Sequence, residues 1–174
     1  MHSTVLLAFA LAAVTSAETF NLYAYGDGIG GLPLHYADGS AVISKNKPAN
    51  ATDTAVVAFT KDRDTDQMVG NPNTTDSNPP FSDQLLYIPG PSSTSKEMGF
   101  AAENDSSTDK ITDEFVWYGN FMLVKQEDGE YTSLFSVKKT DGDDSEEYNL
   151  LWNVTDSTEE VITISMRSVA PSSG

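Results

Sequence analysis

The chain has 174 residues, no cysteine, and 26 Asp and Glu against 10 Lys and Arg, a formal net charge of −16. Such a balance repels phosphate backbones and anionic headgroups, so neither nucleic acid nor an acidic membrane is an expected partner. The lack of thiols excludes disulfides and cysteine nucleophiles, so the fold must be held by its core, which a domain of about 150 residues can supply.

At the start, Met1 to Ala17 (MHSTVLLAFALAAVTSA) joins a short polar segment to an apolar run and a small-residue Thr15-Ser16-Ala17 ending. This is the pattern of a cleaved secretory signal, too short to span a bilayer. Residues 18–174 are therefore expected to form a single exported domain. No later stretch approaches the roughly 20 apolar residues of a membrane span, and the polar Ser-Ser-Gly ending carries no glycolipid-anchor signal. Four sequons fit the secretory route as candidate glycosylation sites: Asn50, Asn73, Asn104 and Asn153.

From Thr19 onward the apolar segments are short and end at turn chemistry every eight to twelve residues or so. Strands are predicted over Thr19–Tyr25, Leu34–Ala37, Ser40–Ser44, Ala55–Thr60, Gln84–Ile88, Met98–Ala101, Glu114–Tyr118, Phe121–Lys125, Tyr131–Val137, Tyr148–Trp152 and Glu160–Arg167. Asp38-Gly39 and Asp128-Gly129 read as hairpin turns. Polar loops are expected over Asn71–Asp83, Pro89–Glu97, Glu103–Asp113 and Lys138–Glu147. No segment shows a helical period, and the pattern predicts an all-β fold, a single antiparallel β-barrel or β-sandwich of about ten strands.

Gly26, Gly28 and Gly31 match the GxGxxG spacing of a dinucleotide site. That fingerprint requires a helix whose N-terminus faces the pyrophosphate, and only Leu32 to Ala37 separate Gly31 from the Asp38-Gly39 turn. The glycines are instead expected to serve a tight connection between two strands, and no cofactor is expected.

Few catalytic side chains remain. His35 is the sole histidine after residue 17, with no GxSxG elbow, and is expected to be a hydrogen-bonded strand residue. No metal site is assigned: Asp62, Asp64 and Asp66 alternate as in a calcium loop, but Gln67 and Asn73 occupy the places of its glycine and its bidentate Glu. An enzyme would have to use carboxylates, as glycosidases do, and Glu114 is the best single candidate, with no evident partner. Aromatic side chains are the other tools. Tyr23, Tyr25, Trp117, Tyr118 and Trp152 are candidate ligand-binding residues, because flat rings stack on sugar faces or anchor protein interfaces. Alternation puts Trp117 and Tyr118 on opposite faces of their strand, so one of the two is expected in the core.

From FNLYAYGDGIGGLPLHYADG, through VGNPNTT and FVWYGNFMLV, to NLLWNVT and ITISMRS, the chain resembles a family of small secreted ascomycete proteins. At the level of fold it is similar to fungal secreted β-barrel proteins of the effector or allergen type, such as those resembling the Alternaria major allergen, which typically carry cysteines. The resemblance implies a compact barrel, often dimeric, that binds host or wall components. The expectation is thus a secreted, non-enzymatic β-barrel protein, effector-like or wall-associated, that binds an extracellular protein or glycan and is able to form a homodimer. The alternative is a carbohydrate-active protein, either a lectin-like module or a carboxylate-dependent glycosidase.

Overall fold

The computed structural model describes residues 18–62, 64–75, 77–140, 146–156 and 160–172. The expected signal segment 1–17, the Ser173-Gly174 end, Arg63 of the Asp-rich loop and part of the Lys138–Glu147 loop lie outside the described residues.

All regular structure among the described residues is β. The strands are β1 (Phe20–Asn21), β2 (Tyr23–Gly26), β3 (Ile29–Ala37), β4 (Ser40–Ser44), β5 (Thr54–Lys61), β6 (Met68–Pro72), β7 (Gln84–Pro89) and β8 (Gly99–Ala102). They continue with β9 (Lys110–Ile111), β10 (Phe115–Tyr118), β11 (Phe121–Lys125), β12 (Tyr131–Thr132), β13 (Phe135–Lys139), β14 (Glu147–Trp152) and β15 (Ile162–Arg167). Ten of them close a ring of antiparallel pairs: β2, β3, β5, β6, β7, β8, β4, β14, β13, β15 and back to β2. The fold is a closed β-barrel, and closure removes the exposed strand edges of an open sheet.

The β3–β4 hairpin braces this ring from within. Its Asp38-Gly39 turn has both residues at positive φ (48° and 91°), as a two-residue loop that matches strand twist requires. One edge of β3 pairs with β4, while the other pairs with β2 through its first half and with β5 through its second. In the same way β4 is shared between β8, through Ser40, and β14, through Val42 to Ser44. A strand with neighbours on both edges and chain across both faces has no wet side. Accordingly Leu34 and His35, although they face opposite ways, are both buried, as are Ala41, Val42, Ile43 and Ser44.

β2, β11 and β15 alternate as a half-buried sheet should, whereas β7, β8, β13 and β14 are buried at consecutive positions. Leu22, Ala24, Phe59, Leu86, Met122, Val124, Ile164 and Met166 point into one shared core. Phe81, from the loop before β7, joins it by stacking on Tyr36 at 4.1 Å between centroids.

Several boundaries differ from the sequence reading: Lys110–Ile111, expected within a polar loop, is a strand because it pairs with β7, and Thr19–Tyr25 is two strands because β1 pairs with β5 and β2 with β3. Met68–Pro72 is a strand with Met68 fully buried, although no strand is predicted there and its last two residues fall in the loop expected over Asn71–Asp83. Tyr131–Val137 is two strands, because β12 pairs with β11 whereas β13 pairs with β14 and β15. The chain is already in β3 at Ile29, so only Asp27-Gly28 forms the turn after β2.

The glycine spacing is accounted for by packing. Gly28 carries φ 69° in the turn, and Gly26 lies so close to β15 that a Cβ would stand 2.7 Å from the Thr163 carbonyl oxygen. Gly31, at φ 84°, leaves room for Pro171 and the Tyr25 hydroxyl, each of which would lie 2.9 Å from a Cβ there.

Candidate functional site

Cross-strand partners share a face of the sheet. Tyr118 is opposite Phe121, Phe121 opposite Arg167, Arg167 opposite Tyr23, and Tyr23 opposite Pro33. These five residues form one row across β10, β11, β15, β2 and β3, about 19 Å long at a strand spacing of about 4.8 Å. The row faces outward, since the alternating positions Phe115, Met122, Met166 and Ala24 are buried.

The row is fixed by its own contacts. The guanidinium carbon of Arg167 lies 4.4 Å from the Phe121 ring centroid and 4.7 Å from that of Tyr25, so the cation is stacked between two rings. Arg167 Nε donates to Ser165 Oγ (3.2 Å), and the Tyr25 hydroxyl donates to the Val169 carbonyl (2.8 Å). Ser168 N–H donates to the Asn120 carbonyl at the tip of the β10–β11 hairpin, where Gly119 supplies the positive φ (59°) that its two-residue loop needs.

Tyr131 extends the same face. It pairs with Lys125, four residues along β11 from Phe121, and so points outward with Leu123 and Phe121. The large apolar side chains left most exposed among the described residues are Tyr118 (78%), Tyr131 (59%), Val169, Leu134 and Phe121 (39%). All five belong to the β10–β11–β12 sheet or to the segments that leave β12 and β15 beside it. Monomeric proteins seldom gather such side chains without use.

Of the aromatic residues singled out from the sequence, Tyr23, Tyr25 and Tyr118 come together on this face. Trp117 does not: it points inward with its partner Met122 and packs edge-on against Phe20 at 5.1 Å. Trp152 is 4% exposed and tilts against Phe135 in the core. Sequence reasoning missed Phe121, Tyr131 and Arg167. The available signal was the register of the Gly119-Asn120 hairpin, which sets Phe121 opposite Tyr118, and the alternation of Ile162, Ile164 and Met166, which turns Arg167 outward.

A groove of about 570 Å³ adjoins this face at Lys125, where the end of β7, the start of β10 and the β11–β12 loop meet Trp152 and Asn153. Glu114, Asp113, Glu127 and Asp128 line it together with Lys96 and Lys125. Glu114 is half-buried and the other three acids are exposed.

His35 is buried in β3, and its Nε2 lies 3.1 Å from the Ser44 carbonyl oxygen, to which it donates. That bond leaves Nδ1 as an unprotonated acceptor with no partner, and burial lowers the pKa of the ring, against smaller opposing effects of the Ser44 bond and the Glu147 charge. In the Asp-rich loop, Asp62 Oδ1 accepts the Asp64 N–H (2.9 Å) and Asp66 pairs with Lys61 (2.9 Å). Among the described residues no three His, Asp or Glu side chains are grouped so as to hold a metal ion. The sequons Asn50, Asn73, Asn104 and Asn153 are all exposed. No protein-family model, curated protein or solved structure matches the chain.

Proposed function

We propose that this is a secreted, non-enzymatic β-barrel protein, effector-like or wall-associated in a fungus, that recognises an extracellular protein or glycan through the outer face of β10, β11, β12, β15 and β2. The observation that carries this reading is the concentration of the most exposed aromatic and apolar side chains around an arginine held between two rings. Tyr, Phe and Arg at fixed positions lose little side-chain freedom on binding, which is why such residues dominate recognition surfaces. The groove lined by Glu114 supports the rival reading of a carboxylate glycosidase, in which the same residues would touch substrate.

The test uses the deglycosylated protein on arrays of glycans and extracellular proteins, alongside Phe121→Ala, Arg167→Ala and Glu114→Gln, with light scattering to detect a dimer. Binding or self-association that the two face variants weaken at least tenfold, and that Glu114→Gln leaves unchanged, is the expected result. Polysaccharide turnover abolished by Glu114→Gln would overturn the proposal in favour of the glycosidase.

A further inference from the structure

Resting on the reading of this face as the working surface, we propose that its ligand is a neutral, unbranched polysaccharide of equatorially substituted pyranoses, such as a β-1,4-linked glucan or its N-acetylamino counterpart.

The first ground is how the rings are presented. Every ring–ring contact among the described residues lies among the interior and half-buried rings, as in Phe20 with Trp117 and Tyr36 with Phe81. Among the described residues Tyr118 and Tyr131 stack on no other ring and are the two most exposed large apolar side chains. Their register sets them two strands apart and four residues along β11, about 17 Å corner to corner. A protein hot spot is a compact pocket at the centre of an interface, whereas separate free rings on one outer sheet face suit a ligand that repeats a flat apolar face. Equatorially substituted pyranoses have such faces, with their axial C–H groups directed at the ring and their hydroxyls at the rim.

The second ground is charge. Between the two tyrosines the outer face carries Val116, Phe121 and Leu123, and its charged groups Glu114 and Lys125 lie together in the row that ends at Tyr131, of opposite sign and without net charge. Arg167, with Nε committed to Ser165, keeps its other N–H groups for hydroxyl acceptors beside the row. The chain's net charge of −16 opposes the approach of an anionic polymer or of a second copy, but not of an uncharged glycan. Asn50 and Asn104 lie in the loops that follow β4 and β8, whereas Asn73 donates to Asn21, two residues before Tyr23, and Asn153 donates its N–H to the Leu134 carbonyl, which is why the test removes the N-glycans.

The test is co-sedimentation of the full-length secreted protein, with its N-glycans removed, on microcrystalline β-1,4-glucan, on chitin, and on insoluble polygalacturonate as the anionic control. Retention on one or both neutral polymers and not on polygalacturonate is expected, and the two neutral arms identify which sugar is read. Tyr118→Ala and Tyr131→Ala should each weaken retention about tenfold, with Tyr118→Phe retaining it and the melting temperature unchanged. No retention on either neutral polymer, or equal retention by the double alanine variant, overturns the inference. If the face variants instead abolish a protein-array signal or a dimer, the polysaccharide inference falls while the surface reading stands. If they change nothing in any assay, both fall.

Discussion

Arg167 and Phe121 face each other across the pairing of β15 and β11, with the guanidinium carbon 4.4 Å from the ring centroid. Among the described residues this is the one residue pair between β11 and β15, so the stacked cation, with the Ser168 N–H bond to the Asn120 carbonyl, ties the β10–β11 hairpin to the barrel wall. Removing the guanidinium loses two ring contacts and the bond to Ser165. Arg167→Ala should lower the unfolding free energy by about 1–2 kcal/mol, and Arg167→Lys, which cannot stack a planar group, should recover only part of it. Urea unfolding at constant pH measures both.

The glycines of the false nucleotide motif are separable by substitution. At Gly31 an alanine would need φ 84° and would meet Pro171 and the Tyr25 hydroxyl at 2.9 Å, so Gly31→Ala should cost roughly 1–3 kcal/mol. Neighbouring Gly30 has open space where a Cβ would stand, so Gly30→Ala should fall within about 0.5 kcal/mol of wild type. A dinucleotide site would predict loss of ligand binding, whereas the observed packing predicts loss of stability at one position only. Thermal melts of the two variants distinguish these outcomes.

Phe81 is the anchor of an otherwise polar loop. Its ring stacks on Tyr36 at 4.1 Å with an interplanar angle of 20°. Phe81→Ala should cost about 3 kcal/mol or somewhat more and release the segment between β6 and β7. Faster amide hydrogen exchange confined to residues 77–83 and the facing half of β3 is the expected readout; unchanged exchange there would show that the loop is held by other contacts.

His35 gives the protein a pH dependence of known sign. Its folded pKa is lowered by burial, so on acidification the unfolded chain takes up a proton before the folded one does. The stability tied to this ring is complete above about pH 6.5, the unfolded value, and declines as pH falls from there toward the folded pKa. His35→Gln should flatten that part of the stability profile between neutral and mildly acidic pH. Denaturant midpoints collected across that range measure the difference in slope.

The fold was legible where alternation was long enough to read. Ile162, Ile164 and Met166 against Thr163, Ser165 and Arg167 mark β15 without ambiguity, and Phe121–Lys125 and Ser40–Ser44 match their observed bounds. Met68–Pro72 was not legible, because Met-Val-Gly between an Asp-rich and an Asn-Pro-rich stretch has no local period. It is a strand because β5 and β7 flank it, a long-range cause. Alternation also shows that Trp117 and Tyr118 diverge without saying which goes inward; that is decided by Phe20, nearly a hundred residues earlier, whose ring receives Trp117. The same limit hid the arginine at the centre of the face. Arg167 and Tyr25 are separated by most of the chain, and only closure of β15 onto β2 brings them together.

Hydroxyl-radical footprinting of the protein in the presence of β-1,4-glucan or chitin, read by mass spectrometry residue by residue, distinguishes the sheet face from the groove. Protection of Tyr118, Phe121 and Tyr131, with Glu114, Glu127 and Lys96 of the groove as reactive as in the free protein, is the result expected if the outer face does the binding. Protection confined to the groove residues, with Tyr118 and Tyr131 still fully reactive, would contradict it.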